Sequence, residues 1–389
     1  MARTSLILLG LVAGFQATGA AKLVPGKGFD RLVTIWLENQ DYAKVVLDDA
    51  FKDLKKQGIS LTRTFAATHP SQPNYLAAIA GDYFGCNHDE FARMSESVFT
   101  VADLLESKNI SWGGYFEDLP GPGFMGDYSD GVDGMTPTGD WDYVRKHNPF
   151  VTFDSVTNQG HRLLQLLSFG DYHRDFAAKR VPQFVFMTPN MMHDGHNTTL
   201  EVATKWSRDF IKPMITDKAF DERTLVILTY DESETYEKPN QIATLLLGSA
   251  IPAHLRGTED NTFYTHYSML STIEYNWDLP NLGRYDVGAN VFKFVADAGG
   301  YEHNKDPENA AAVDNSLSYF GILHNETEHV VPIPRPNLKL IGSSGRGVLE
   351  DIKKAWPPAK KDRTPYDGSG RVHDAGNPPV YGKENVNTP

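Results

Sequence analysis

An α/β fold, a three-layer sandwich around a mostly parallel central sheet, is predicted for this chain on three observations. Short apolar runs alternate with stretches of helical periodicity through residues 22 to 340. Three of those runs, LVTIWL, FVFMTPNMM and TLVILTY, each close on proton-carrying or metal-binding side chains: Glu38-Asn39, His193-Asp194 and Asp231-Glu232. In an open parallel sheet, ligands sit outside the carboxyl ends of the strands, so clusters of this kind from distant segments converge on one crevice.

The strands are expected at 32 to 37, 61 to 66, 111 to 116, 183 to 188, 224 to 230 and 242 to 247, where apolar and β-branched residues run together. Helices are expected at 42 to 57, 72 to 80, 100 to 108, 158 to 168, 200 to 217 and 266 to 276. Thr100 with Asp103 forms an N-terminal capping box ahead of Leu104-Leu105. Pro73 sits in the first turn of its helix, where the missing N–H costs nothing. Glycines, prolines and aspartates crowd between Pro120 and Gly139, which marks a long loop near the crevice. No internal repeat appears, and residues 22–341 read as one catalytic domain. Residues 342–389 shift to Pro, Lys, Gly and Asn and read as a poorly packed tail.

Residues 1–21 have the form of a secretory signal peptide: Arg3, an apolar run from Leu6 to Phe15, then small residues through Ala20-Ala21. That run is too short to span a bilayer, and no later segment approaches the required length, so no stable membrane association is expected. Secretion to the medium or cell wall gives meaning to the acceptor triplets at Asn109, Asn197 and Asn325. The lone Cys86 cannot form an intrachain disulfide, so the 40% hydrophobic content must build the core unaided. A net charge of -13 excludes the basic surfaces that gather nucleic acid. Nothing in the sequence fixes the oligomeric state.

Glu38, Asn39, Asp231 and Glu232 bring three carboxylates and an amide to one crevice. Buried like charges repel and raise one another's pKa, unless a cation lies between them. The donors are all oxygens, which favours one hard divalent ion such as Mg, Ca or Mn, with Zn or Fe less suited. Each residue taken alone reads as a polar cap at a strand end. Ser71, in THPSQPNY, precedes a helix whose free N–H groups would face anything bound to its hydroxyl, a ready place for a phosphate. A metal-bound hydroxyl there becomes a competent nucleophile; the plainer alternative is a serine cap.

WLENQDY, THPSQPNYLAAIAG, TPNMMHDGH and TYDES, in that order, resemble the signature blocks of the phosphoesterase family that holds fungal secreted acid phosphatases, bacterial acid phosphatase A and non-specific phospholipases C. That family lies in the alkaline-phosphatase superfamily, and the resemblance spans most of residues 30 to 280, including YSMLSTIEYNWDLP. It implies an alkaline-phosphatase-like fold, a metal held by Glu38, Asn39, Ser71, Asp231 and Glu232, and Ser71 as nucleophile. Ser71-Gln72-Pro73-Asn74 resembles the superfamily's nucleophile turn, which makes Asn74 a candidate to hold a phosphate oxygen. Tyr75 stands where sulfatases need an arginine. Asn190 and Asp194 replace the Asp and His of two-zinc relatives, a departure that speaks against a second metal.

The expected function is therefore a secreted, metal-dependent acid phosphatase acting on small phosphate monoesters through a phosphoserine. His193, paired with Asp194 or backed by His196, is the candidate acid for the leaving group; His69 could hold the phosphate or donate the proton instead. His266 reads equally as a site residue or a helix cap. Oxygen ligands stay ionised near pH 5, where imidazole ligands would release metal, so an acid optimum is expected. Two alternatives stand beside this. One is a phospholipase C-type phosphodiesterase, disfavoured because those relatives carry long added C-terminal domains. The other is a metal-independent serine esterase using Ser71, a histidine and Asp194, or a non-catalytic binding protein; the GxSxG elbow of such esterases is absent.

Overall fold

The computed structural model describes residues 23–130, 141–236, 239–326, 331–358 and 364–380. Its nine strands are β1 (Arg31–Leu37), β2 (Ile59–Phe65), β3 (Trp112–Phe116), β4 (Leu166–Ser168), β5 (Phe184–Thr188), β6 (Thr224–Tyr230), β7 (Gln241–Leu247), β8 (Thr258–Asp260) and β9 (Tyr264–Thr265). They form one sheet in the order β4-β3-β5-β1-β6-β7-β2-β8, with β9 beside β2. Only β7 runs against the rest, antiparallel to both β6 and β2. The sheet is thus mostly parallel, as the alternation of apolar runs predicts, and all six expected strands are present within two residues of their expected bounds.

Period-two alternation along the buried strands feeds two separate cores. Leu32 and Trp36 of β1, Phe184 and Phe186 of β5, and Leu225 and Ile227 of β6 point to one face. Val33, Ile35 and Leu37, Val185 and Met187, and Val226 and Leu228 point to the other. The first face is covered by helices Ser71–Ala80, Val101–Glu106 and Tyr267–Trp277, the second by Asp49–Lys55, Phe169–Ala177 and Leu200–Thr216. That is the three-layer arrangement.

The differences from expectation have local causes. The helix expected over 42 to 57 is two, Tyr42–Val45 and Asp49–Lys55, because Asp48 accepts the Phe51 N–H at 2.9 Å and starts a new helix. The helix expected over 158 to 168 shrinks to Gly160–Leu163, since Leu166–Ser168 pairs with β3 instead. The Thr100 capping box forms with both of its hydrogen bonds. In the loop expected between Pro120 and Gly139, residues 131–140 lie outside the described residues, as does the 1–21 signal segment.

The described part of 342–389 is not loosely packed. Leu349 and Gly347 exchange backbone hydrogen bonds with Asn281. Ile352, on helix Glu350–Ala355, and Tyr366 are buried. The Tyr366 hydroxyl donates to Asp82 Oδ2 at 2.5 Å. Composition misleads here because a few anchoring side chains among polar neighbours suffice to fasten a strap. Among the described residues no helix is long and apolar enough to cross a membrane. Asn109, Asn197 and Asn325 are all exposed.

Candidate active site

Strand register brings the acids together. Leu37 of β1 lies opposite Tyr230 of β6, so the residues that follow, Glu38 and Asp231, emerge side by side, and the Asp231 N–H donates to Leu37 O at 3.1 Å. On the other flank the Glu38 N–H donates to Asp194 O at 3.1 Å, which draws in the loop after β5. Ser71 opens the helix Ser71–Ala80, all ten residues of which are buried. Gly81 ends that helix at φ 72, with Asp286 Oδ1 only 3.0 Å from where a Cβ would stand.

The Ser71 hydroxyl lies 3.0 Å from Glu38 Oε2 and 3.1 Å from Glu232 Oε1. One O–H can donate to only one of them. The Asp231 carboxyl also faces that of Glu38. Its Oδ1 accepts the Glu232 N–H at 2.7 Å, while its buried Oδ2 has no partner. Burial, then Glu38 and Glu232, push the Asp231 pKa well above the carboxylate range. Burial also raises Glu232, against the pull of His69. Burial alone would raise Glu38 too, but His147 and Lys146 outweigh it and hold this carboxyl well below its usual range.

Three buried carboxylates, with Asp231 Oδ2 among the oxygens that receive no hydrogen bond, converge on a hydroxyl, and the half-buried Asn39 directly follows Glu38. Among the described residues no trio of His, Cys, Asp or Glu side chains is already gathered as a metal cage. The donor set is completed by a hydroxyl and an amide, and its all-oxygen chemistry fits a hard divalent cation that would relieve the repulsion.

Two basic side chains at this site, Lys146 and His147, were not read from the sequence. His147 Nε2 lies 2.6 Å from Glu38 Oε1, its Nδ1 lies 3.7 Å from Asp194 Oδ2, and its ring stacks on Tyr75. Burial pushes the His147 pKa down, with Glu38 opposing. Lys146 Nζ sits 2.9 Å from Asp89 Oδ2. Burial would lower its pKa, but Glu38 and Asp89 together raise it. Asp89 Oδ1 also accepts the Gln72 N–H at 2.9 Å. The first-turn amide that sequence reasoning reserves for a phosphate is therefore held by Asp89. Lys146 and His147 lie on the short Arg145–His147 turn, with no periodicity to flag them.

His69 Nδ1 lies 2.5 Å from Glu232 Oε2, which ties it to the Ser71 cluster. Asn74 is engaged elsewhere. Its Oδ1 accepts the Ala67 and Thr68 N–H groups, and its Nδ2 donates to Thr68 O and Pro70 O. The amide fixes the turn before Ser71 and has no donor left for a phosphate oxygen.

His193 does not pair with Asp194. Neighbours on one loop face opposite ways: Asp194 is buried and accepts the His196 N–H at 2.8 Å, whereas His193 is half-exposed. The His193 Nδ1 lies 3.0 Å from Glu117 Oε2, and its ring stacks on Trp206. Glu117 directly follows β3, the same strand-then-acid signal that marks Glu38 and Asp231, and could have been found by it. Burial, then Glu38, push Asp194 well above the usual carboxyl range. His196 does not back His193; it is exposed and turns to Asn197 at 2.8 Å. His266 makes no side-chain cap. Its Nε2 lies 2.6 Å from Asp231 O and its ring packs on Trp36, and burial pushes its pKa down to about 4. It props the Asp231 backbone as a neutral ring.

A family model described as Phosphoesterase family matches residues 48–280. A probable acid phosphatase of Kluyveromyces lactis is 43% identical over 345 residues, covering 88% of this chain and 79% of that protein. An acid phosphatase of Aspergillus fumigatus is 43% identical over 347 residues, 88% of this chain and 76% of its own. Among solved structures, a protein in the alkaline phosphatase superfamily from Vibrio parahaemolyticus has 13% identity and a TM-score of 0.43 over 65% of this chain and 68% of that chain.

Proposed function

The chain belongs to the Phosphoesterase family, and from that premise we propose that it is a secreted, metal-dependent acid phosphatase that hydrolyses phosphate monoesters through a phosphoserine. The observation that carries this is the Ser71 hydroxyl, first in its helix and within 3.1 Å of two buried carboxylates. When bound by Glu38, Asn39, Ser71, Asp231 and Glu232, a divalent cation would neutralise those carboxylates and favour the ionised serine.

Ser71 Oγ attacks phosphorus in line, the bond to the leaving oxygen breaks, and water then releases phosphate from the serine. Lys146 and the Gln72 N–H are the donors for the non-bridging oxygens, and a bound phosphoryl group competes with Asp89 for both. His69 and His193 are both candidates to protonate the leaving alkoxide: Glu232 joins His69 to the Ser71 cluster, and His193 is turned to Glu117. The two are separable by leaving group. Loss of the acid slows esters of poor leaving groups far more than p-nitrophenyl phosphate, so His69→Asn and His193→Asn compared on both substrates identify the donor.

Secretion rests on the signal pattern of residues 1–21 and on the exposure of Asn109, Asn197 and Asn325. The esterase triad gains no support: the Ser71 hydroxyl contacts two carboxylates and no imidazole. Phosphomonoester turnover that is lost on chelation and restored by a divalent cation is the test; turnover indifferent to chelator refutes the metal-dependent reading.

A further inference from the structure

Among the described residues four aromatic side chains are left largely exposed: Phe91, Trp141, Tyr236 and Phe320. Three of them stand on loops that also deliver site groups. Phe91 follows Asp89 and lies over the Arg145 guanidinium at 4.4 Å, Trp141 precedes Lys146 on its segment, and Tyr236 follows Glu232.

Tyr236 has the most defined geometry. Its ring stacks on His69 with centroids 4.0 Å apart and planes 19° from parallel. Tyr236 is 59% exposed, so part of the ring not held against His69 reaches solvent. A flat apolar face therefore stands beside the place where phosphorus would sit, supported from behind by a buried imidazole.

We propose that Tyr236 is the platform for the organic part of the substrate and that the site selects phosphate monoesters of planar aromatic alcohols over those of small aliphatic ones. The proposal rests on the phosphatase reading above. An aryl group esterified to a phosphate held at Ser71 would extend toward the mouth and stack on the free face of Tyr236, continuing the pair already formed with His69. An aliphatic arm gains no such contact.

Calorimetric titration of the full-length, metal-loaded chain with phenylphosphonate and methylphosphonate tests this without bond cleavage, so leaving-group chemistry does not enter. The wild type binds the phenyl ligand more tightly. Tyr236→Ala weakens phenylphosphonate roughly fivefold more than methylphosphonate, on the scale of one lost aromatic contact, and Tyr236→Phe keeps the wild-type ratio. If Tyr236→Ala moves both ligands equally, as loss of a structural cover over His69 would, or moves neither, the platform is refuted. A wild type that binds neither phosphonate nor orthophosphate refutes the phosphatase reading and the platform with it.

Discussion

The Ser71 hydroxyl lies 3.0 Å from Glu38 Oε2, although the two residues come from different elements and their side chains are both buried. A hydroxyl serving only as a helix cap would bond a backbone N–H of its own first turn; this one faces two acids. Ser71→Ala is therefore expected to cut turnover of phosphate esters on the order of a thousandfold or more, as removal of a nucleophile does, with an unchanged melting temperature. Full turnover by a folded Ser71→Ala protein would show that the nucleophile lies elsewhere.

Metal removal has a separable signature. Substitution of a partner outside a metal's direct ligands typically weakens binding about tenfold to a hundredfold, and Glu38→Gln or Asp231→Asn should cost no less. Elemental analysis of the purified variants reads this directly. Because burial and like charge raise Asp231, the cation-free protein carries a repulsion that a bound cation would relieve. Chelation should lower the melting temperature of the wild type and leave Asp231→Asn nearly unmoved, and equal shifts in both proteins would count against the site.

The strand-edge acids were legible in the sequence because an apolar run fixes both where a strand ends and which residues follow it. Glu38 and Asp231 therefore stand where the pattern puts them. Partners chosen by tertiary packing were not. Lys146 and His147 occupy a three-residue turn. The partner of His193 is set by which way two neighbouring side chains face. The engagement of Asn74 with nearby backbone is likewise invisible in a motif. Short edge strands such as β4 and β8, three residues each, escape for want of length.

Lys146 supplies the positive charge that the oxygen-rich crevice otherwise lacks, and Glu38 and Asp89 hold it protonated throughout the acid and neutral range. A hydrogen bond to a charged group is worth about 1.5–3 kcal/mol, so Lys146→Met should weaken competitive inhibition by orthophosphate roughly tenfold or more. Lys146→Arg should recover part of the loss. Inhibition unaffected by Lys146→Met would reduce the lysine to a counter-ion for Asp89.

The C-terminal strap is held at Asp82, whose Oδ1 and Oδ2 accept the Tyr319 and Tyr366 hydroxyls, each at 2.5 Å. Burial raises the Asp82 pKa, and the two hydroxyls offset part of that. Asp82 follows the helix that Ser71 opens, so the strap braces the far end of that helix. Tyr366→Phe leaves a buried acceptor short of one donor and should destabilise the fold by about 1–3 kcal/mol, measured by urea unfolding. A variant as stable as wild type would mean that the segment packs without this anchor.

Glu274, buried beside Asp286, carries a pH-dependent prediction for the stability of the fold. Glu274 is fully buried in the helix Tyr267–Trp277, and its carboxyl faces Asp286. Asp286 already accepts the Leu282 N–H and the Arg284 N–H, each at 2.7 Å, so it is set up as the acceptor and Glu274 as the proton holder. Burial first, and Asp286 second, push the Glu274 pKa well above the carboxylate range. In the unfolded chain the same group titrates at about 4.3. Above that pH the unfolded state gives up a proton that the folded state keeps, so stability falls as pH rises, until the folded value is passed. The contribution is complete below the unfolded value and is lost progressively on the alkaline side. Glu274→Gln keeps the shape, can still donate to Asp286 and does not titrate in this range. The variant should therefore lose less stability than wild type between pH 4.5 and pH 8 in parallel urea titrations. Parallel curves would mean that Glu274 is ionised in the folded protein and that the pair shares no proton. A flattened curve would show that folded Glu274 keeps its proton at a pH where the unfolded chain has lost it.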